Sequence, residues 1–109
     1  MRELIRSEEF DEFYDALPDK VQNKVKYAIN LMADVRVLNS KLVKKLVDTY
    51  FYELRISVGN EYRVVLFAID HENLIEAKHI LLLNGFMKKS TKDYKREIEK
   101  AQQILNRYL

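Results

Sequence analysis

The chain has no cysteine, only two glycines and a single proline among its 109 residues. Without thiols it can form neither disulfides nor thiolate metal sites, which suits a reducing compartment. The two glycines, Gly59 and Gly85, cannot build a phosphate loop of the Walker or dinucleotide kind. His71 and His79 show no HxxxH or HxH spacing, and Asp70, His71 and Glu72 are consecutive in a polar turn, so neither a metal nor another cofactor is expected. A GxSxG nucleophile elbow is missing too. The longest apolar run, near Ile80–Leu83, is far too short to span a bilayer. Met1–Phe10 (MRELIRSEEF) places acids where a secretory signal needs an apolar core. A cytoplasmic protein without a membrane partner is expected.

What is present is the balance of a soluble globular chain, 48% apolar and 33% charged. The length supports one core, hence a single domain over residues 1–109. Net charge is +2 but unevenly spread: residues 1–40 hold six basic and eight acidic side chains, residues 41–109 thirteen and nine. The segment Lys88–Arg96 (KKSTKDYKR) alone carries five bases against one acid. That concentration fits a polyanionic partner, or a solvated helix start.

Phe51–Ile69 (FYELRISVGNEYRVVLFAI) reads as a β-hairpin, with turn residues at Gly59-Asn60-Glu61 between β-branched and aromatic flanks. A three-residue loop sets Val58 opposite Tyr62 and Arg55 opposite Val65. One face then carries Leu54, Ile56, Val58, Tyr62, Val64 and Leu66, the other Arg55, Ser57, Arg63 and Val65. A two-residue loop would separate the arginines; the longer loop segregates apolar from polar side chains better.

Around the hairpin the expected order is β-α-α-β-β-β-α. Arg2–Arg6 makes a short edge strand. Ser7 caps a helix bearing Phe10, Phe13, Tyr14 and Leu17. Pro18 ends it and opens a second helix with Val21, Val25, Ala28, Ile29, Met32 and Val35 on one side. Asn39–Asp48 is a polar connection whose Lys41, Lys44 and Lys45 can widen a basic face. Leu74–Gly85 forms the last strand, its Ile80–Leu83 run suited to cover on both faces. Ser90 or Thr91, with Asp93, starts a final helix that buries Ile98, Ala101, Leu105 and Tyr108. The fold class is α+β: a small antiparallel sheet, an N-terminal αα-hairpin and a C-terminal helix.

The chemistry these residues offer is cationic. Arg55 and Arg63 on the exposed hairpin face, with Lys88, Lys89, Lys92, Lys95 and Arg96 at the entry to the last helix, can converge on a phosphodiester. Glu53 and Glu61 are the carboxylates that can instead pair the arginines internally. RNA brings its own 2′-OH nucleophile, so the protein has only to orient it, stabilise the phosphorane and protonate the leaving oxygen. Tyr94 or Tyr62 can stack on a base or share in proton transfer.

YELRIS (Tyr52–Ser57), YRVVLF (Tyr62–Phe67), LLLNGFMKKS (Leu81–Ser90) and KREIEKA (Lys95–Ala101) occur in this order. With LPDKV (Leu17–Val21), they resemble the RelE/ParE toxin superfamily, closest to its HigB-like, phage-derived toxin-like branch. The resemblance implies a RelE-like domain acting as the toxin of a type II toxin–antitoxin system. Such a toxin is an mRNA interferase: a metal-independent endoribonuclease that enters the ribosome, cleaves mRNA to a cyclic phosphate and inhibits translation. A cognate antitoxin of the helix-turn-helix, HigA-like kind would neutralise it. By motif, Arg55 and Arg63 become catalytic phosphate contacts, Tyr94 a catalytic aromatic, and Lys88, Lys89 and Lys92 RNA-binding residues alongside Lys95 and Arg96. One departure leaves the general acid and base unassigned: Asn84 stands where branch members often carry His. The alternatives are a ParE-like protein that binds DNA gyrase, and a RelE-fold phage protein without activity.

Overall fold

Helix starts and stops fall where the side chains dictate. In the computed structural model, which describes residues 1–109, β1 (Glu3–Arg6) leads into α1 (Glu8–Asp15). The Ser7 hydroxyl caps α1 by accepting from the Phe10 amide at 3.0 Å, and Glu8, Glu9 and Asp11 face the positive end of the helix dipole. Pro18 sits at the N-cap of α2 (Asp19–Asp34), and its carbonyl accepts from the amides of Val21 and Gln22. Arg2 closes the other end of α2, donating to the carbonyls of Met32, Val35 and Arg36 and, across the loop, of Ile75.

The remaining elements are β2 (Val43–Lys45), β3 (Tyr52–Val58), β4 (Asn60–Ala68), β5 (His79–Lys88) and α3 (Lys92–Tyr108). They complete a five-stranded sheet in the order β1-β5-β4-β3-β2. The fold is α+β, and the sheet is antiparallel except at β1, which pairs parallel with β5. Parallel pairing follows from the route: a strand at the edge, two helices and a long return leave β1 and β5 pointing the same way. The supposed polar connection holds β2, a three-residue strand too short to show alternation. The last strand starts later than expected, because Asp70 accepts the amides of Lys78 and His79 and closes the 70–78 turn. It also runs on through Lys88, past Gly85.

The hairpin register differs from the expectation by two residues. Val58 pairs with Asn60 around Gly59, whose φ of +70° allows the reversal, and Arg55 lies opposite Arg63. A slip of two preserves the side-chain phase, so the expected division of faces holds. Leu54, Ile56, Tyr62, Val64 and Leu66 join Phe10, Val21, Val25, Ala28 and Met32 in the core beneath α1 and α2. Gly85 fits there because it has no side chain: a Cβ would run into the ring of Phe13.

The opposite face is not open, as the sequence suggested, but partly covered by α3. Val65, Leu81, Leu83, Ala101, Ile104 and Leu105 form a second, smaller core, whereas Tyr108 is left exposed. A bulge makes this possible. Val64 pairs with Gly85 and Leu66 with Leu82, so Leu83 and Asn84 together span the single residue Val65. The extra residue shifts the phase of β5, placing Phe86 and Lys88 on the α3 face opposite Arg63 and Glu61.

Candidate nucleic-acid interface

The site grows from the polar alternation of β3 and β4. Glu53, Arg55 and Ser57 project to one side, and the register adds Lys44 opposite Glu53, Arg63 opposite Arg55 and Glu61 opposite Ser57. The first turn of α3 then lowers Tyr94 onto Arg63. Arg63 Nε donates to the Tyr94 hydroxyl at 3.0 Å, while Nη1 donates to the Tyr62 carbonyl at 2.9 Å. Phe86 braces the Tyr94 ring edge-on, centroids 5.5 Å apart at 90°, and Lys88 Nζ lies 5.7 Å from the same ring.

Two carboxylates complete the set. Glu53 is 4% exposed, and its Oε1 lies 3.6 Å from Arg55 Nε and 3.8 Å from Arg63 Nε. Its Oε2 is buried without a hydrogen-bond partner. Glu61 Oε1 accepts from both Nη1 and Nη2 of Arg63 at 3.3 Å, and its Oε2 accepts from the Ser57 hydroxyl. The Ser57 bond and then the Arg63 guanidinium hold the Glu61 carboxyl below its ordinary pKa. Burial first, and then the neighbouring Glu53 carboxylate, push the Tyr94 phenol above its ordinary value, against the opposing pull of Arg63.

Arg55, Arg63, Tyr94 and Lys88 therefore stand together. Contrary to the sequence expectation of an exposed pair, Arg63 is only 2% exposed, and Arg55 is one-third exposed. The reason is the coverage by α3, whose position no local pattern encodes. Lys89 and Lys92 are exposed at the corner between β5 and α3, which Asp93 shapes by accepting the amides of Lys89 and Ser90. Those amides lower the Asp93 pKa. Lys95 and Arg96 lie on the outer surface of α3, Arg96 turned toward Asp93 and Glu97. Asn84 is no part of this surface: it is buried under α3, its amide donating to the carbonyl and carboxylate of Glu97.

Two contributions had weaker signals. Lys41 lines a recess of about 280 Å³ with Arg55, Ser57 and Glu61. Lys44 shares their face. The lysine cluster was visible in sequence, but its alignment with the arginines depends on β2. Glu53 was visible only as a pairing partner for the arginines, not as the buried carboxylate between them.

This layout is that of the RelE fold. Against the Escherichia coli RelBE toxin–antitoxin complex the TM-score is 0.63 at 15% identity, covering 83% of this chain and 100% of the matched one. Against the RelB–RelE complex of Methanococcus jannaschii it is 0.56 at 24% identity, with 83% and 96% covered. Against isolated E. coli RelE it is 0.53 at 15% identity, with 92% and 98% covered. No curated protein matches the chain by sequence. The model of the phage-derived Gp49-like protein family matches residues 12–106, and the chain belongs to that family. Fold and family thus stand side by side: a Gp49-like chain with the RelE fold.

Proposed function

We propose that the protein is the toxin of a type II toxin–antitoxin pair and cleaves ribosome-bound mRNA without a metal. The observation that carries this reading is the Arg63–Tyr94 contact, with Arg55 and Lys88 at its sides. It supplies the charge stabilisation and the protonated hydroxyl that transfer to an internal 2′-OH requires.

In the step envisaged, the 2′-hydroxyl gives its proton to solvent water, its oxygen bonds to phosphorus and the bond from phosphorus to the 5′-oxygen breaks. A 2′,3′-cyclic phosphate and a 5′-hydroxyl result. The guanidinium groups of Arg55 and Arg63 meet the phosphorane charge. A phenol with a raised pKa keeps its proton at neutral pH, so Tyr94 is cast as the donor to the leaving 5′-oxygen. Glu53 is a positioning residue that holds both guanidinium groups. Glu61 occupies the two Nη groups a phosphate would use, and because its side chain is half exposed it can be displaced. Lys88, Lys89 and Lys92, with Lys95 and Arg96 further out, hold the RNA strand. The partner that silences the protein is an antitoxin encoded beside it, of the HigA-like helix-turn-helix kind.

The two carboxylates on Arg63 also support a competing reading, in which the RelE fold persists without nuclease chemistry and Arg63 is only structural. The deciding experiment is cleavage of mRNA on purified ribosomes with EDTA present. Cleavage that Tyr94→Phe and Arg55→Ala each reduce on the order of a hundredfold supports the nuclease. Intact mRNA, with or without a supercoiling defect, refutes it.

A further inference from the structure

Beyond the residues around Arg63, the chain leaves a tyrosine in water on the other side of the hairpin. Tyr27 is 61% exposed on α2, and Lys24 Nζ sits 5.8 Å from its ring centroid. Lys20, Lys24 and Tyr27 recur at helical spacing, so they share one stripe of the helix. With Asn23, Ser57 and Val58 they line a recess of about 310 Å³.

Ser57 also lines the recess formed by Lys41, Arg55 and Glu61. The two hollows therefore meet at one residue. That residue lies toward an open edge: β2 pairs with β3 as far as Leu54, the Arg55 amide still donates to the Leu42 carbonyl, and no strand covers the outer side of β3 beyond it. The shared residue gives a chain leaving Arg55 a route onto α2. Along the way the bases outnumber the acids: Lys41, Arg55, Lys20 and Lys24 stand against Glu61 at the crossing and Asp19 at the start of α2.

We propose, on the strength of the nuclease reading above, that the RNA strand flanking the cleaved linkage continues over the Ser57 edge onto α2, where Tyr27 stacks a base and Lys20 and Lys24 neutralise phosphates. The chemistry selects single-stranded RNA. An exposed ring flanked by cations and one amide suits a π-face and its backbone. A protein partner would instead want an apolar centre around the ring, and Val58 is the only aliphatic side chain in the recess.

The test is fluorescence anisotropy of a labelled, unstructured RNA of about ten nucleotides, without ribosomes, over a series of salt concentrations. Tyr27→Ala is expected to weaken binding roughly tenfold, whereas Tyr27→Phe keeps it. The Lys20→Ala/Lys24→Ala double variant is expected to flatten the slope of log K against log salt by about 1.4, two single-strand phosphate contacts' worth. All these positions are exposed, so thermal unfolding should be unchanged and serves as the folding control. Wild-type affinity and slope in every variant overturns the proposal. So does loss of a co-purified protein partner with RNA binding intact. The nuclease reading is separable: if the wild type cleaves no ribosome-bound mRNA yet the variants lose RNA affinity, that reading falls and the α2 surface stands. If the wild type cleaves and the variants bind as it does, the α2 surface falls alone.

Discussion

The two faces of the sheet are built on opposite terms. Under α1 and α2 the buried side chains form one apolar core of 17 residues. Under α3 the apolar core is 8 residues, and Glu53, Arg63, Asn84 and Glu97 are buried beside it. Beside that first layer the buried polar side chains are Ser7 and Arg2, at the ends of its helices, and both donate to backbone carbonyls, though Arg2 Nε is left unpaired. The second spends part of its packing area on polar groups whose satisfaction depends on one another. Glu53 Oε2 and Asn84 Oδ1 have no partner at all.

Substitutions that strike one face and spare the other can break or sharpen this contrast. The largest effect is expected from Arg63→Ala, which removes the buried cation beside Glu53, leaves that carboxylate only the one-third-exposed Arg55 as a partner and opens a cavity under α3. Chemical denaturation should show a loss of about 3–5 kcal/mol, with ribosome-dependent cleavage abolished. On the other face Leu66→Ala should cost a comparable ~2–5 kcal/mol through its cavity. Yet cleavage per folded molecule should stay at the wild-type level. If activity falls with Leu66, the two faces are not independent.

Tyr94→Phe keeps the ring against Phe86 and should move stability by less than about 1.5 kcal/mol, the net worth of one hydrogen bond. Cleavage should nevertheless drop on the order of a hundredfold. Because the phenol pKa is raised, the wild-type rate should hold steady through neutral pH, with loss of the donor only above about pH 10.

The smallest effect is expected at Glu61. Its folded-state pKa is depressed, so its stabilisation is complete above the unfolded value and fades as pH falls through the folded one. The stability gap between wild type and Glu61→Gln should therefore be under about 1 kcal/mol at pH 7 and narrow once the pH falls below the ordinary glutamate range. RNA affinity should move the other way, rising in Glu61→Gln at pH 7, since no carboxylate then competes for Arg63. An unchanged affinity would remove Glu61 from the phosphate site.

Much of this contrast was legible beforehand. Alternation in β3 and β4 fixed which side chains share a face, even though the pairing was placed two residues off, because parity survives an even slip. Ser7, Pro18 and Asp93 marked helix boundaries by chemistry that acts within a few residues. What stayed hidden depends on distant parts of the chain. The burial of Arg63 depends on where α3 lies, and the role of Lys44 on pairing across a three-residue strand. The parallel setting of β1 is a matter of route. Arg2 gave no sign of its grip on four carbonyls, which come from the end of α2 and from a loop more than seventy residues away.

The doubled residue at Leu83-Asn84 gives β5 two phases in one strand. Its first half answers to the packing demands of both layers, and its second half, from Gly85 on, presents Phe86 and Lys88 to Tyr94. Removing either Leu83 or Asn84 would straighten the ladder, with Gly85 still opposite Val64 and Phe86 and Lys88 still turned to the α3 side. The orientation of that second half should therefore survive the deletion, whereas losing Asn84 in particular would take away the amide that ties this strand to Glu97 of α3.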